Sequence, residues 1–547
     1  MYRLKGDDMK PKRFPRASTS MIVDPLKLTV AVVALLLFPT LLFAQLRTAV
    51  IDSAGDVGKY SSIVIDSNKH LHISYYDATN RALKYAMIDN AGRFIEVVDS
   101  TANVDVGRYS AIAVDGANVP HISYYDATNK DLKYAVKRGS GWTIQTVDSA
   151  GNVGMHTSIA VDQLGNPWIS YYNEGSEYLK LAYWDGGWQI KQCCPVRLTS
   201  GTSESGKSTA IQLEHMSSYP LVLFFDVTDR TLKLAIFDRT RNQWGVEVLR
   251  SANFIFQDLS LTLDTANQPH VSFSEVSATG ESVWYGKKTC AASGCLTQVT
   301  PTQPTGEGTW NFETVDATAA TFASLALDAT NLPWATYYDL AYGLRLAQKS
   351  GTGWSVQTVD PGWEVGLYNA IALDTNNRPH ISYYDQANGD LKYASTSLPQ
   401  GLDVWIKDCP KDNGRVPSTP VCTEWSSSPD IWFAGRFVPG FRNTLKAQVR
   451  NRSFSSARNV TVRFYLADQR PSLTGDIYNA ATLIGERPVT VAPNSSVTAS
   501  VAWTPPLRMS KRFWIGVVLD HPDDPPHTGA SASPPKDNNI AVNHFGP

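Results

Sequence analysis

An all-β fold made of repeated four-stranded sheets is predicted by three observations. A phrase close to His-Ile-Ser-Tyr-Tyr-Asp, followed by Leu-Lys-Tyr-Ala, begins at His72, His121, Trp168, Leu221, His270, Trp334 and His380. These starts lie 49, 47, 53, 49, 64 and 46 residues apart, the length of one four-stranded blade. Between the copies runs only short period-two alternation punctuated by turn residues, with no helix-period stretch. Together they predict a seven-bladed β-propeller, closed by its N-terminal strand and followed by an immunoglobulin-like β-sandwich.

The first element, residues 1–44, differs from the rest. Seven Lys or Arg and three acids precede or flank an apolar run from Leu28 to Ala44, and Gln45 opens a polar segment. This reads as a signal peptide with a long basic front, starting at Met1, Met9 or Met21, with Pro39 and the small Ala44 suiting cleavage. A retained anchor is the competing reading, since 17 residues reach the lower limit of a span. Cleavage makes the expected product secreted or displayed at the cell surface, with no membrane insertion afterwards. It also takes the formal net charge from −2 to −6, and a mildly acidic surface argues against nucleic acid as a partner.

Residues 45–398 form the predicted ring. The second copy shows its strands plainly: Ser110 to Asp115, Pro120 to Asp126, Leu132 to Val136 and Trp142 to Asp148, separated by turn residues. The chain starts and stops out of phase, because a fourth-strand segment at Thr48 to Asp52 precedes the first full unit while the last unit ends on its third strand at Ala394. Arg47 to Asp52 is therefore expected to complete the seventh blade, which leaves no open sheet edge.

The stretches SAIAVDGANVPHISYYDATNKDLKYA, from Ser110, and AIALDTNNRPHISYYDQANGDLKYA, from Ala370, resemble the repeats of bacterial secreted or surface β-propeller proteins. The resemblance covers about residues 46–396. It implies an exported seven-bladed ring, no single activity, and no catalytic residues to carry over.

Residues 399–432 read as a disulfide-containing junction, and residues 433–547 as the sandwich. NTLKAQVRNRSFSSARNVTVRFYLAD, from Asn443, and DNNIAVNHF, from Asp537, resemble CARDB-like adhesion modules of bacterial surface proteins, which implies a spacer or binding role. In an exported chain bridges are expected between Cys290 and Cys295 and between Cys409 and Cys422. The adjacent Cys193 and Cys194 would form a strained vicinal bridge or remain two thiols. No C-x-x-C or His cluster accompanies these pairs, so neither zinc nor any other metal or cofactor is expected.

Several motifs have a structural explanation. GTSESGKS, from Gly201 to Ser208, fits a phosphate-loop formula, but the next residues, Thr209 to Leu213, occupy a strand position where that loop needs a helix. The recurring acids Asp77, Asp126, Asp226, Glu275, Asp339 and Asp385 read as turn caps paired across a hairpin with Lys84, Lys133, Lys180, Lys233, Arg345 and Lys392. His72, His121, His270 and His380 share their position with Trp168, Leu221 and Trp334, which marks a packing site.

The entry loops Val-Gly-x-Tyr/His, at Val57, Val106, Val153 and Val365, differ from those of blades four to six. Tyr60, Tyr109, His156 and Tyr368 are therefore expected to line one arc of the ring's mouth with Asp77, Asp126 and Asp385. Rings stack on apolar faces of sugars or peptides while carboxylates accept their hydrogens; a Gly-assisted turn whose aromatic plugs the blade interface is the alternative. The function expected is non-enzymatic binding of an extracellular glycan or protein by a monomer. No catalytic residue is assigned, and no Arg-Ile-Pro phrase, S-x-D-x-G-x-T-W box, G-x-S-x-G or H-E-x-x-H occurs. The alternatives are a glycan-cleaving enzyme on the same scaffold, with Glu204, Glu214 or Asp258 as the acids to test, or a ligand-free assembly scaffold.

Overall fold

The computed structural model describes residues 45–547 apart from 90–91, 177, 196–208, 216–217, 227–229, 240, 252–254, 278–279, 291–307, 319, 352, 399–403, 408–427, 468–481, 507–512, 522–539 and 546–547. The segment read as a signal peptide and the phosphate-loop phrase lie outside the described residues. So do Cys295, Cys409, Cys422 and Glu204. Among the described residues no helix is long and apolar enough to cross a membrane. Residues 46–547 form one compact unit.

The described chain is all-β. Seven antiparallel sheets of four strands follow one another from Val57 to Ser395, consistent with a propeller. We number these sheets one to seven and their strands outward from the first. Sheet one is Val57–Ile65, Leu71–Asp77, Ala82–Ile88 and Arg93–Asp99. Sheet seven takes three strands from the end of the repeat, Val365–Leu373, Pro379–Asp385 and Asp390–Ser395, and its fourth from the front of the unit. That fourth strand is Arg47–Asp52, in register with Arg47 opposite Ser395 and Val50 opposite Lys392. Each first strand packs against the first strand of the next sheet, and that of sheet seven against that of sheet one.

Second strands carry the repeated phrase because both their faces are covered. All seven residues of Leu71–Asp77, Pro120–Asp126 and Pro220–Asp226 are buried. Alternating side chains therefore enter two different cores, one on each side of the sheet. Tyr75 packs among Ile51, Ile73 and Tyr393, whereas Tyr85 packs with Leu83, Ile112 and Tyr124 toward sheet two.

The sheets are also tied by a recurrent ionic latch. In sheet two Tyr124 donates its hydroxyl hydrogen to Asp99 of sheet one at 2.6 Å, and the Lys133 ammonium meets the same carboxylate at 2.7 Å. The set repeats as Tyr171 and Lys180 on Asp148, Tyr383 and Lys392 on Asp360, and Tyr75 and Lys84 on Asp52. The expected hairpin pairing is present for Lys84, Lys233, Arg345 and Lys392, but for Lys84 and Lys392 it is the longer of two contacts. Each latch lysine meets first a carboxylate on the outer strand of the preceding sheet. Its own second-strand acid is more distant, 3.6 Å for Asp77 and 3.5 Å for Asp385. In sheet four, where Phe224 replaces the tyrosine, Lys233 pairs directly with Asp226 at 2.6 Å, and in sheet six Arg345 meets its own Asp339 at 3.9 Å.

The remaining residues fold into two further four-stranded sheets. One holds Val404–Trp405, Ile431–Phe433, Asn443–Asn451 and Ser495–Trp503; the other holds Ala457–Ala467, Thr482–Val491, Phe513–Asp520 and Ile540–Phe545. They share one core containing Leu445, Val449, Val462, Phe464, Ile515 and Val517. Two of these strands, Val404–Trp405 and Ile431–Phe433, come from the stretch read as a junction.

Candidate functional site

Tyr60, Tyr109, His156 and Tyr368 each stand at a bulge in a first strand, with φ of 55°, 55°, 52° and 49°. The pairing with the second strand slips there, between Lys59 and Ser62 in sheet one and between Arg108 and Ala111 in sheet two. A bulge of this kind re-aims one side chain out of the sheet's alternation. The four re-aimed rings meet one another. Ring centroids are 4.7 Å apart for Tyr368 and Tyr60, 4.7 Å for Tyr60 and Tyr109, and 4.1 Å for Tyr109 and His156.

The arc extends further than the entry motif indicated. Phe322 of sheet six holds the same position, with φ 57°, and its ring lies 4.9 Å from that of Tyr368. In sheet five the position belongs to Asp258, φ 52°, whose carboxylate accepts the Phe322 N–H at 2.8 Å. Burial, reinforced by the nearby Glu281 charge, pushes the Asp258 carboxyl up to about 6, although the Phe322 N–H and the Ser274 hydroxyl stabilise its anion. A signal was present in the sequence, since all six residues lie twelve positions before the start of the repeated phrase. The Val-Gly prefix hid it, being absent in sheets five and six. In sheet four, where one more residue precedes the phrase, the register places the position at Ser208, outside the described residues.

A polar margin surrounds three of these rings. The Tyr76, Tyr125 and Tyr384 rings lie 6.1, 6.1 and 6.2 Å from Tyr60, Tyr109 and Tyr368. Their hydroxyls donate to Asp105, Asn152 and Asp56 at 2.8, 2.6 and 2.6 Å. Arg108 holds Asp105 and Lys59 holds Asp56, each at 2.8 Å. Burial and then the Asp105 carboxylate push the Tyr76 hydroxyl up to about 12, so it stays a donor at neutral pH. Beyond the arc, Leu340, Tyr342 and Trp363 are 48, 52 and 71% exposed. All three belong to the loops at one end of sheet six, Leu340 and Tyr342 before Leu344 and Trp363 after its strand partner Asp360. Exposed apolar clusters of this kind mark contact surfaces.

The three acids expected beside the rings are placed elsewhere. Asp77, Asp126 and Asp385 are 1, 2 and 2% exposed. Their carboxylates accept the backbone and side-chain N–H groups of Asn80, Asn129 and Asn388, closing the turn after the second strand. The arc's polar groups are instead Asp56, Asp105 and Asn152, in the loops that enter the first strands and not in the turns that follow the second. Glu214 lies at the far end of its first strand, where its N–H bonds the Tyr219 carbonyl, and not beside Asp258. Phe256 and Gln257 precede Asp258 as residues of a strand, and Thr209–Leu213 is the first strand of sheet four.

The recurrent histidines do more than pack. His72, His121, His270 and His380 each share a 2.6 Å hydrogen bond between Nδ1 and the hydroxyl of a third-strand tyrosine, Tyr85, Tyr134, Tyr285 and Tyr393. Where Trp168 replaces histidine, it stacks on Tyr183 with centroids 4.5 Å apart. Burial pushes His270 and His380 down to about 4, so both are neutral at physiological pH. Among the described residues no group of three His, Cys, Asp or Glu side chains is arranged to hold a metal ion. Neither Cys193 nor Cys290 is a free thiol.

No protein-family description and no curated protein matches the chain. Among solved structures it is similar to the Aleuria aurantia lectin in complex with Fucα1-6GlcNAc, at 13% identity, TM-score 0.36, over 56% of this chain and 96% of the lectin. It is also similar to AofleA from Arthrobotrys oligospora, at 11% identity, TM-score 0.38, over 58% and 91% of the two chains. A third is a polysaccharide lyase of the PL25 ulvan lyase family, at 9% identity, TM-score 0.45, over 64% and 96%. At these identities and TM-scores the likenesses assign no activity.

Proposed function

We propose that this chain is an extracellular binding protein whose seven four-stranded sheets close into a seven-bladed propeller, and that its aromatic arc holds a glycan or peptide. One observation carries the reading: five rings, Phe322, Tyr368, Tyr60, Tyr109 and His156, touch in an unbroken series across five sheets. Packing alone does not require the same bulge to turn an aromatic side chain out of register in each of those sheets. Beside the series stand fixed donors and acceptors, Arg108, Asp105, Lys59 and Asp56, which suit hydroxyl or amide partners. The cyclic packing of first strands supports the closed ring, and the core shared by the two later sheets supports an immunoglobulin-like, CARDB-like spacer. Residues 1–44 supply the export signal, and Cys290 with Cys295 and Cys409 with Cys422 supply the bridges, in a monomer.

A glycan array followed by calorimetry tests the reading. Tyr109→Ala and Tyr368→Ala are each expected to weaken the best ligand about tenfold, or ~1.4 kcal/mol, the scale of one aromatic stacking contact. Trp363→Ala is expected to weaken longer ligands only. A full set of glycans and peptides without a hit, or hits indifferent to all three variants, would favour the ligand-free scaffold.

Asp258 favours a second reading, cleavage of the bound glycan. It is the one carboxyl among the described residues of the series, and with a pKa of about 6 it holds a proton below that pH that a general acid can deliver. Glu281, also raised by burial, is close enough to bias it. If the purified protein shortens any glycan that the array identifies, Asp258→Asn is expected to cut the rate at least a hundredfold while ligand affinity stays within about threefold. An unchanged rate would remove Asp258 from the chemistry.

A further inference from the structure

A second site lies where the outer strand of sheet one faces the C-terminal sheets. A cleft of about 630 Å³ opens there, within the range of small-ligand sites. Its charged lining is Asp52, Lys84, Arg93, Lys407, Arg450 and Arg452, five bases against one acid. Two of the bases are already matched, Lys84 by Asp52 and Arg450 by Asp430 at 2.6 Å. The walls are fixed by reciprocal stacking, with the Arg452 guanidinium 3.9 Å from the Phe94 ring and that of Arg93 5.2 Å from Phe454.

Arg93 is the decisive residue. It is 4% exposed, and its Nη1 donates to the Val50 carbonyl at 2.6 Å. Its Nε and Nη2 have no hydrogen-bond partner. Lys407 has Asp430 as its nearest carboxylate among the described residues, which its backbone N–H bonds at 3.0 Å and which Arg450 already holds. Burial alone pulls the Arg93 guanidinium down to about 10, against the opposing pull of Asp52. A buried guanidinium with two unused donors on one edge is complementary to the two oxygens of a carboxylate or sulfate. Nothing of this depends on the aromatic arc, which is built from first strands, whereas Arg93 belongs to an outer one.

We propose that this cleft binds an oxyanion, a sulfate or carboxylate group, with Arg93 as its bidentate donor and Lys407 as the second charge. Two sources share that chemistry: an acidic or sulfated oligosaccharide, and a free inorganic anion. Calorimetry on the full chain, at matched ionic strength, with sulfated dextran oligosaccharides, oligogalacturonate, neutral dextran and sodium sulfate separates them. Binding of at least one anionic probe is expected, with none of neutral dextran, and with affinity falling as sodium chloride rises. Arg93→Gln and Lys407→Glu are each expected to weaken it at least tenfold. Lys407→Glu, at a half-buried position, keeps the test valid should Arg93→Gln fail to fold. Oligosaccharide binding at least tenfold tighter than sodium sulfate assigns the cleft to a glycan; equal affinities assign it to a small anion. Tyr109→Ala is expected to leave anion binding unchanged, so loss in that variant would place the anion on the arc and overturn the proposal. Failure of every anionic probe to bind, or indifference to both cleft variants, overturns it as well.

Discussion

Asp99→Ala is expected to lower the free energy of unfolding by about 3–5 kcal/mol, the scale of removing one member of a buried ion pair. The carboxylate is 7% exposed and serves two donors of the next sheet, the Tyr124 hydroxyl and the Lys133 ammonium, at 2.6 and 2.7 Å. Removing it leaves Lys133, itself mostly buried, with no carboxylate in hydrogen-bond range, and leaves the Tyr124 donor without its acceptor. Burial, the largest cause of the raised Tyr124 pKa, persists in the variant and keeps the phenol from ionising in compensation. Tyr124→Phe removes one hydrogen bond to a charged group and is expected to cost about 1.5–3 kcal/mol. Lys133→Met combined with Asp99→Ala is expected to recover part of the loss, because no charge then remains buried alone. Denaturant titration followed by tryptophan fluorescence measures all of these. A loss below about 1 kcal/mol for Asp99→Ala would mean that the latch is solvated and behaves as a surface pair.

This latch also shows how the fold was legible in the sequence and where it was not. The second strands are buried on both faces, so their residues vary little and seven copies could be found by inspection. The fourth-strand segment at Arg47–Asp52 was legible for the same reason, as a strand without a unit. Pairing between units was not legible. Lys84 and Asp77 are close in sequence and meet across one hairpin, but the shorter contact is to Asp52, on a strand that the chain lays down before the sheet begins. A repeat viewed as a self-contained unit assigns its charges internally, whereas sheets packed side by side assign them to neighbours. The same bias misplaced the site acids. Asp77, Asp126 and Asp385 recur because a turn must be capped in every unit, while Asp56 and Asp105, which hold Tyr384 and Tyr76 beside the arc, sit in loops that vary. Phe322, and Asp258 as a member of the same series, were obscured because the Val-Gly prefix and the re-aimed side chain have separate causes and recur together in only four sheets.

The glycine's cause is a close approach between sheets, and Gly107→Ala is expected to cost about 2–5 kcal/mol. Gly107 has φ +104°, a conformation that an L side chain adopts only with strain. A Cβ built there would come within 2.7 Å of the Leu83 Cα and 2.8 Å of its N, backbone atoms of a fully buried residue of sheet one that cannot rotate away. Gly58, Gly154 and Gly366 make the same approach to Leu391, Leu132 and Leu344. In sheet five Phe256 takes the place of glycine and fills the gap with its ring, edge-on to Phe225 and Phe273 at 5.4 and 5.1 Å. Gly116 supplies the control, because nothing lies within 4 Å of its added Cβ; Gly116→Ala is expected to change stability by less than about 0.5 kcal/mol. Equal melting temperatures for the two variants would refute the close-approach account. Because Gly107 is two residues before Tyr109, pushing sheets one and two apart also moves Tyr109 from Tyr60. At a temperature where Gly107→Ala remains folded, its ligand affinity is therefore expected to fall with that of Tyr109→Ala, even though glycine offers the ligand no side chain. The spacing of the rings is set by backbone contact between neighbouring sheets, and the arc can be loosened without changing any ring.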